Sequence, residues 1–442
     1  MALSEFSHKE IAPVSTATAV RASMLGWMWP FRRNPAHRIR SSDPYWLLRN
    51  GMGDARPALD RALDCDIAII GAGITGLLIA DALIATGKRI VILDARDVAL
   101  GSTAATTALL QYEIDTHLVE LITMLGHQDA ARAYLACGAC FDLLEQRFPE
   151  LLKYSNYRRV ESVYLARDLA AVPRLQAEMA ARRALGFHCD WLGEADLARR
   201  YHCHRPGAIL SSLGAELDPV RFTQGLVAGI ERHGARVFAR SRVSAIEEQG
   251  SRLRLIIGGT QVDADHVVVA AGFESLDFLT RPVAKILNTY ALVTEPLPEP
   301  GRASNMPLMW ESDRPYLYLR GTPDGRLLMG GADVPFKSAA ARDALLPRQM
   351  SRIGASYRDL FHEDLPPVAY AWGGSFAQTP DGLPFIGRAP GQHPALLFAL
   401  CYGGNGISYS AHAGEMIRAA IEGRAHPLDA VFGFGRTPKV AT

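Results

Sequence analysis

The apolar positions of this chain change period several times, and the changes outline its architecture. Ile67 to Ile70 form a short continuous apolar run, the pattern of a strand buried on both faces. Thr75 to Thr86 then carries Leu77, Leu78, Ala82 and Leu83 at helical spacing, and Arg89 to Leu93 returns to a strand. Between Ala130 and Ala198 the periodicity is largely helical, broken at Pro149 and Pro173. A second α/β unit starts at Asp218, where Pro219 suits the first turn of a helix reaching about His233. Gly234 to Phe238 reads as turn and strand, Arg242 to Glu248 with Leu253 to Ile257 as a hairpin, and Asp265 to Gly272 as a buried strand ending in glycine. Strands then dominate, at Tyr290 to Val293, Pro307 to Trp310, Tyr316 to Arg320 and Arg326 to Met329, which predicts a second, mainly antiparallel sheet. The tail reverts to α/β, with a strand at Leu396 to Leu400, a glycine turn at Tyr402 to Gly406 and a helix from Ser408 to Glu422.

The first switch of period carries chemistry. Gly71, Gly73 and Gly76 stand between the strand and the helix in the spacing G-x-G-x-x-G. Gly71 permits the tight turn, Gly73 lets the backbone approach a pyrophosphate, and Gly76 lets the helix pack closely on the strand, so that phosphate meets the positive end of the helix. Asp94, at the carboxyl end of the next strand, is placed to accept hydrogen bonds from a ribose. These features predict a dinucleotide site and leave FAD and NAD both open. The run Gly101 to Gln111 is rich in small and hydroxyl side chains, which let a backbone approach a ligand and donate hydrogen bonds to it.

Composition narrows the functional classes. A chain of 442 residues, 48% hydrophobic, can bury a substantial core and suggests two or three domains, a length that two interleaved ones would fit. Its 47 basic and 46 acidic residues nearly cancel, which argues against a nucleic-acid partner. Six cysteines form no dense disulfide framework, so a reducing, cytoplasmic setting is expected; Cys137 and Cys140 sit in a helical pattern and read as helix-face residues, and His202, Cys203 and His204 lack a second ligand pair, so no metal is expected. No apolar run is long enough to span a bilayer. The aromatic and basic stretch Met24 to Arg33 reads as a poorly ordered extension, with membrane-surface contact as the alternative.

Taken together, the glycine fingerprint with Asp94, the segment Gly101-Ser102-Thr103, Glu216 to Pro219 before a helix, Val268 to Gly272, Thr379 to Gly387 and the turn Gly403 to Gly406 resemble the D-amino-acid oxidase type of FAD-dependent oxidoreductase, over roughly Asp60 to Arg436. The resemblance favours FAD over NAD, since that family's C-terminal glycine turn lies near the flavin. It implies an α/β fold in which a Rossmann-like FAD-binding domain (61–145, 206–282 and 366–436) is interleaved with an α+β substrate domain (146–205 and 283–365) carrying a mainly antiparallel sheet, after an N-terminal extension (1–60). The cofactor residues it implies are Gly71, Gly73, Ile74, Thr75, Gly76, Asp94, Ala95, Gly101, Ser102, Thr103, Thr106, Thr107, Val243, Ala271, Gly272, Gly403, Gly404, Asn405, Gly406 and Ile407. The implied reaction is oxidation of a C–N bond in a small-molecule amine by hydride transfer to flavin, with oxygen or another electron acceptor.

Departures from the family pattern bear on the substrate. Phe376 stands where relatives place a carboxylate-gripping arginine, Ser408 where sarcosine-type relatives have a lysine, and Ala108 and Gln111 where they have paired arginines. Gly374 occupies their cysteine attachment position, implying noncovalent FAD, and Leu328 their oxygen-activating lysine position. An amine without a nearby carboxylate is therefore expected. Candidate substrate contacts are Gln111, Trp310, Tyr316, Tyr318, Arg320, Trp372 and Tyr402, of which Tyr318, Tyr402 and Gln111 are the expected catalytic set. A 2-hydroxy acid oxidoreductase and a non-catalytic flavoprotein assembly factor are the alternatives.

Overall fold

The two predicted periodicities resolve into two sheets in a computed structural model, which describes residues 40–299, 301–313 and 316–436. The apolar run extends to a strand at Leu63–Ile70, with Ile67, Ala68 and Ile69 fully buried, because helices cover one face and a β-hairpin layer the other. It lies at the centre of an eight-stranded sheet. Parallel to it run Ile90–Leu93 on one side and Thr260–Val269 on the other; Arg236–Phe238 and Leu396–Leu400 extend the parallel set. The hairpin Ala245–Gln249 and Arg252–Ile257 continues antiparallel from Thr260–Val269.

The helices Ile74–Ile84 and Gly406–Ile421 cover one face of this sheet. They lie close together: the Thr75 and Ser410 hydroxyls share a 2.7 Å hydrogen bond, and a Cβ on Gly414 would come within 2.7 Å of the Ala82 Cβ. Apolar burial between such faces, at about 25 cal/mol per Å², fixes their relative position.

The second sheet has ten strands and is mainly antiparallel, as the pattern from Lys285 onward predicts. Its order across the face runs Arg40–Ser41, Val368–Gln378, Lys285–Thr294, Leu327–Pro335, Leu317–Gly321, Leu308–Glu311, Arg158–Leu165, Gly207–Glu216 and Leu109–Gln111, with Cys189–Gly193 also paired to Gly207–Glu216. Three of these strands correct the sequence reading. Arg158–Leu165 and Cys189–Gly193 interrupt the span read as helical from Ala130 to Ala198, which otherwise forms helices at His127–Arg147 and Val172–Ala184. Gly101 to Gln111, whose small and hydroxyl side chains match the pattern of neither a packed helix nor a strand, is a short helix Ser102–Ala105 followed by the strand Leu109–Gln111.

The N-terminal region read as an extension is built into the fold from Arg40 onward. Arg40 and Ser41 pair with Gly374 and Gly373, and the helix Tyr45–Asn50 buries Tyr45, Trp46 and Leu47. The stretch Met24 to Arg33 lies outside the described residues. No described helix is long and apolar enough to cross a membrane, and no group of His, Cys, Asp and Glu among the described residues could hold a metal. Cys137 and Cys140 are buried in their helix.

A buried ionic cluster ties the helical layer to this sheet. The Arg182 side chain is fully buried; its Nε donates to Glu178 at 2.8 Å, Nη1 lies 3.9 Å from Glu113, and the guanidinium carbon sits within 6 Å of the rings of Tyr112, Tyr134 and Tyr164. Glu178 also accepts from the backbone N–H groups of Leu118 and Val119, satisfying orphan donors at the start of the helix Leu118–Leu125. Burial opposes ionisation of Glu178, but Arg182 and those two N–H groups outweigh it and hold the carboxyl below its ordinary value. Removing the cation leaves buried anions uncompensated. Arg182→Met is expected to cost about 3–5 kcal/mol at neutral pH, read by urea denaturation. Glu178 contributes stability above its ordinary value of 4.5, lost as the pH falls through its lower folded value; in the variant that contribution is gone, so the difference between the two proteins should shrink on acidification. A constant difference would contradict this account.

Candidate active site

Parallel strands bring their carboxyl ends to one edge, and the predicted cofactor motifs stand along that edge. Leu63–Ile70 leads into Gly71 to Gly76, Ile90–Leu93 into Asp94, Thr260–Val269 into Ala271 and Gly272, and Leu396–Leu400 into Tyr402 to Gly406. Gly71 has φ +115°, and a Cβ there would lie 2.4 Å from the Ala270 carbonyl oxygen at the end of the neighbouring strand, so the strand-to-helix turn requires glycine. Gly73 is different: its added Cβ would meet only the Thr103 hydroxyl, at 3.2 Å, so its smallness serves what approaches from outside the chain.

Neither helix that opens at this edge has a side-chain cap. Gly73 precedes Ile74–Ile84 and Asn405 precedes Gly406–Ile421, and neither of these residues makes a side-chain capping hydrogen bond of its own. Two such N-termini, with donors left over, suit an anionic group. The residues present therefore fit a dinucleotide. Asp94 accepts from the backbone N–H of Ala72 at 2.8 Å and of Arg96 at 2.7 Å, which orients its carboxylate beside Ala95, and burial raises its pKa above the ordinary value. The loop holding Val243 reaches the same acid, since the Ser241 N–H donates to the Asp94 carbonyl. Thr103 Oγ1 accepts from the Ile74 N–H at 3.1 Å, which docks the Gly101 to Thr107 segment onto the fingerprint turn.

The C-terminal turn is bound to the strand that carries Gln111. Asn405 donates its side-chain amide to the carbonyls of Gln111 and Glu113, and the Ser408 hydroxyl donates to the Gln111 carbonyl at 2.9 Å. Gly404 N–H donates to Asp115, and Gly403 N–H to the Ala377 carbonyl. Ser408 is thus engaged with backbone. The Gln111 amide nitrogen is buried and makes no hydrogen bond within the chain, which leaves it bonding capacity toward a ligand.

The ten-stranded sheet supplies a continuous face. Register aligns Tyr164, Trp310, Tyr318, Gly330, Ala291 and Trp372 across six strands, so their side chains point the same way. Tyr164 and Trp310 stack at 3.7 Å, and the Tyr318 ring lies over Gly330, where a Cβ would come within 2.6 Å. Tyr318 Oη shares a 2.9 Å hydrogen bond with Thr289 Oγ1, and Tyr316 donates to Asp333 at 2.6 Å. Phe376 is two residues from Gly374 and on the same face; a Cβ on Gly374 would lie 3.6 Å from that of Ala105.

Four of the expected substrate contacts have other partners: Tyr316, bound to Asp333, and with it Arg320, Trp372 and Tyr402. Arg320 is buried, lies 3.3 Å from Glu216, donates to the Leu217 carbonyl and packs over the Trp46 ring. The Trp372 indole N–H donates to the Ala105 carbonyl. Tyr402 donates to the Gly272 carbonyl and packs among the apolar residues of the eight-stranded sheet. Gln111, Trp310 and Tyr318 remain on or beside the open face. Glu113, Tyr164, Thr289 and Trp46 were not singled out from the sequence; only the two-residue spacing from Gln111 to Glu113 carried a signal.

A family model described as FAD dependent oxidoreductase matches residues 66–420. The chain is 26% identical over 401 residues to gamma-glutamylputrescine oxidoreductase of Escherichia coli (strain K12), a match covering 86% of this chain and 91% of that protein. Among solved structures it superposes on glycine oxidase from Geobacillus kaustophilus with a TM-score of 0.72 at 18% identity, covering 85% and 99% of the two chains. Iminodiacetate oxidase from Chelativorans sp. BNC1 gives 0.68 at 18% identity, covering 83% and 98%. These structural likenesses show the fold.

The contrast between the two glycines gives a test. Gly73→Val should fold with near-native thermal stability but purify without yellow colour, whereas Gly71→Ala should lose stability by about 1–3 kcal/mol or more through backbone strain, whatever its flavin content. Stoichiometric flavin in Gly73→Val would remove the fingerprint from the binding site.

Proposed function

The chain belongs to the FAD-dependent oxidoreductase family, and from that premise we propose that it oxidises a C–N bond of an amine lacking a carboxylate next to the reacting carbon. When bound, FAD supplies the acceptor for the hydride lost from the amine carbon, and the imine left behind hydrolyses in water to a carbonyl compound and the released amine. The protein's own part is to bind the neutral amine, direct its C–H bond and exclude water. Gln111, through its unpartnered amide, and Tyr318, steadied by Thr289, are assigned to orient the substrate. Burial raises the Tyr318 phenol above its ordinary value, so it acts as a neutral hydrogen-bonding group rather than a phenolate. Trp310, stacked on Tyr164, gives the pocket an apolar wall.

The observation that carries the substrate preference is the engagement of Arg320. A guanidinium bound to Glu216 and to a backbone carbonyl is not available to a substrate carboxylate, and Phe376 and Ser408 stand where relatives place cations. A carboxylate desolvated beside the flavin without such donors is too costly to bind well. The relative gamma-glutamylputrescine oxidoreductase, whose name joins a diamine to an amino acid, supports an amine with any carboxylate far from the reacting carbon.

Anaerobic mixing with a panel of amines tests this through bleaching of the flavin absorbance. Longer amines without an α-carboxylate should reduce the flavin at least about tenfold faster than glycine, sarcosine or D-alanine, the effect of one missing charged contact. Phe376→Arg should narrow that gap. Rapid bleaching of the wild-type protein by D-alanine or sarcosine would refute the preference, and no bleaching by any amine would refute C–N oxidation. FAD should leave the protein on acid precipitation, consistent with glycine at position 374.

A further inference from the structure

Two buried indoles from opposite ends of the chain converge on consecutive backbone carbonyls of the cofactor segment. Trp46 Nε1 donates to the Thr106 carbonyl at 2.8 Å, and Trp372 Nε1 donates to the Ala105 carbonyl at 2.9 Å. Both side chains are about 1% exposed and share one apolar cluster with Ala104, Ala291 and Leu328. The two carbonyls close the short helix Ser102–Ala105, whose end would otherwise leave acceptors unsatisfied. Just beyond them Ala108 takes φ +52°, an unfavourable region for a residue with a Cβ, and its N–H is held by the Thr106 hydroxyl at 3.0 Å. A strained residue of this kind persists only where its surroundings over-determine it. The strand Leu109–Gln111 starts at the next position.

Trp46 reaches this segment because its helix is fastened at both ends. Tyr45 donates to Asp324, in the turn between two strands of the ten-stranded sheet. Asn50 donates to Asp218 and accepts from Arg221, at the start of the helix Pro219–Arg232. The helix Tyr45–Asn50 therefore crosses the cofactor segment as a strap, and it lies before the region matched by the family model, 66–420.

We propose that Trp46 and Trp372 are positioning residues that clamp the segment from Gly101 to Ala108, keep its backbone in a flavin-binding conformation and set the position of Gln111. The assignment rests on the FAD site described above. Trp46→Phe removes the indole donor and the smaller ring of the side chain, so the Thr106 carbonyl loses its partner while Ala108 remains strained. FAD should then dissociate from the purified holoenzyme about tenfold faster, the effect of one buried hydrogen bond, followed by the rise in free-flavin fluorescence. Ala108→Gly, which tolerates the positive φ, should recover much of that loss when combined with Trp46→Phe and do little alone. The paired variant Tyr45→Phe with Asn50→Ala unfastens the strap without emptying the core and should also speed release. Urea denaturation of each apoprotein separates this from a general loss of stability, which would lower the unfolding midpoint in step with the faster release. Wild-type release rates in Trp46→Phe and in the paired variant would overturn the proposal, as would a Trp46→Phe defect unaffected by Ala108→Gly. A wild-type protein that held no FAD would instead refute the site itself.

Discussion

The parallel alignment of four strands is the constraint on which the rest of this structure depends. Strands that run the same way end at the same edge, so Leu63–Ile70, Ile90–Leu93, Thr260–Val269 and Leu396–Leu400 deliver their following residues to one place despite their separation in sequence. Antiparallel pairing at any of these positions would send one motif to the far side of the molecule. The two uncapped helix N-termini reach the same edge because each helix begins immediately after one of these strands. The second sheet then needs to meet the cofactor edge at only a few points, which Thr103, Ala105, Gln111 and Asn405 provide.

The glycine motifs were legible in the sequence because their constraints are local. Gly71 must adopt a positive φ beside the Ala270 carbonyl, and Asp94 follows a short apolar strand; each requirement leaves a residue type at a fixed spacing. The strand Leu396–Leu400, apolar throughout, was legible to the residue. Strands that pair irregularly were not. Arg158–Leu165 shifts register between Val160 and Ser162, which breaks the alternation by which a half-buried strand is recognised. In Val368–Gln378 the adjacent Gly373 and Gly374 look like a turn, yet both lie inside the strand, paired with Arg40–Ser41 on one side and Lys285–Thr294 on the other.

The polar partners of the site were less legible, since they depend on long-range geometry. Arg320 looked available as a substrate clamp; nothing in its neighbourhood of the sequence marks Glu216 and Trp46 as its partners. Trp372 and Tyr402 looked like pocket aromatics, and only their hydrogen bonds to Ala105 and Gly272 reveal another use. Aromatic residues with a polar tip are ambiguous in this way, because the same ring can wall a pocket or carry a donor to a backbone carbonyl. Gln111 is the contrary case, a residue of unremarkable sequence context whose amide was left without a partner by the fold.

The position of Leu396–Leu400 beside Thr260–Val269 has a consequence for biosynthesis. The turn that completes the flavin edge follows this strand, so a nascent chain on the ribosome exposes the fingerprint turn and Asp94 long before Gly403 to Gly406 exist. The early segments can form local helices and the first parallel pair, but the edge is not complete until Gly403 to Gly406 have been added. Pairings of such large sequence separation form late and slowly, and the half-made sheet presents an unpaired edge while it waits. Enclosure of a cofactor at this edge therefore waits on the pairing of Leu396–Leu400 with Thr260–Val269, well after the fingerprint turn has been made.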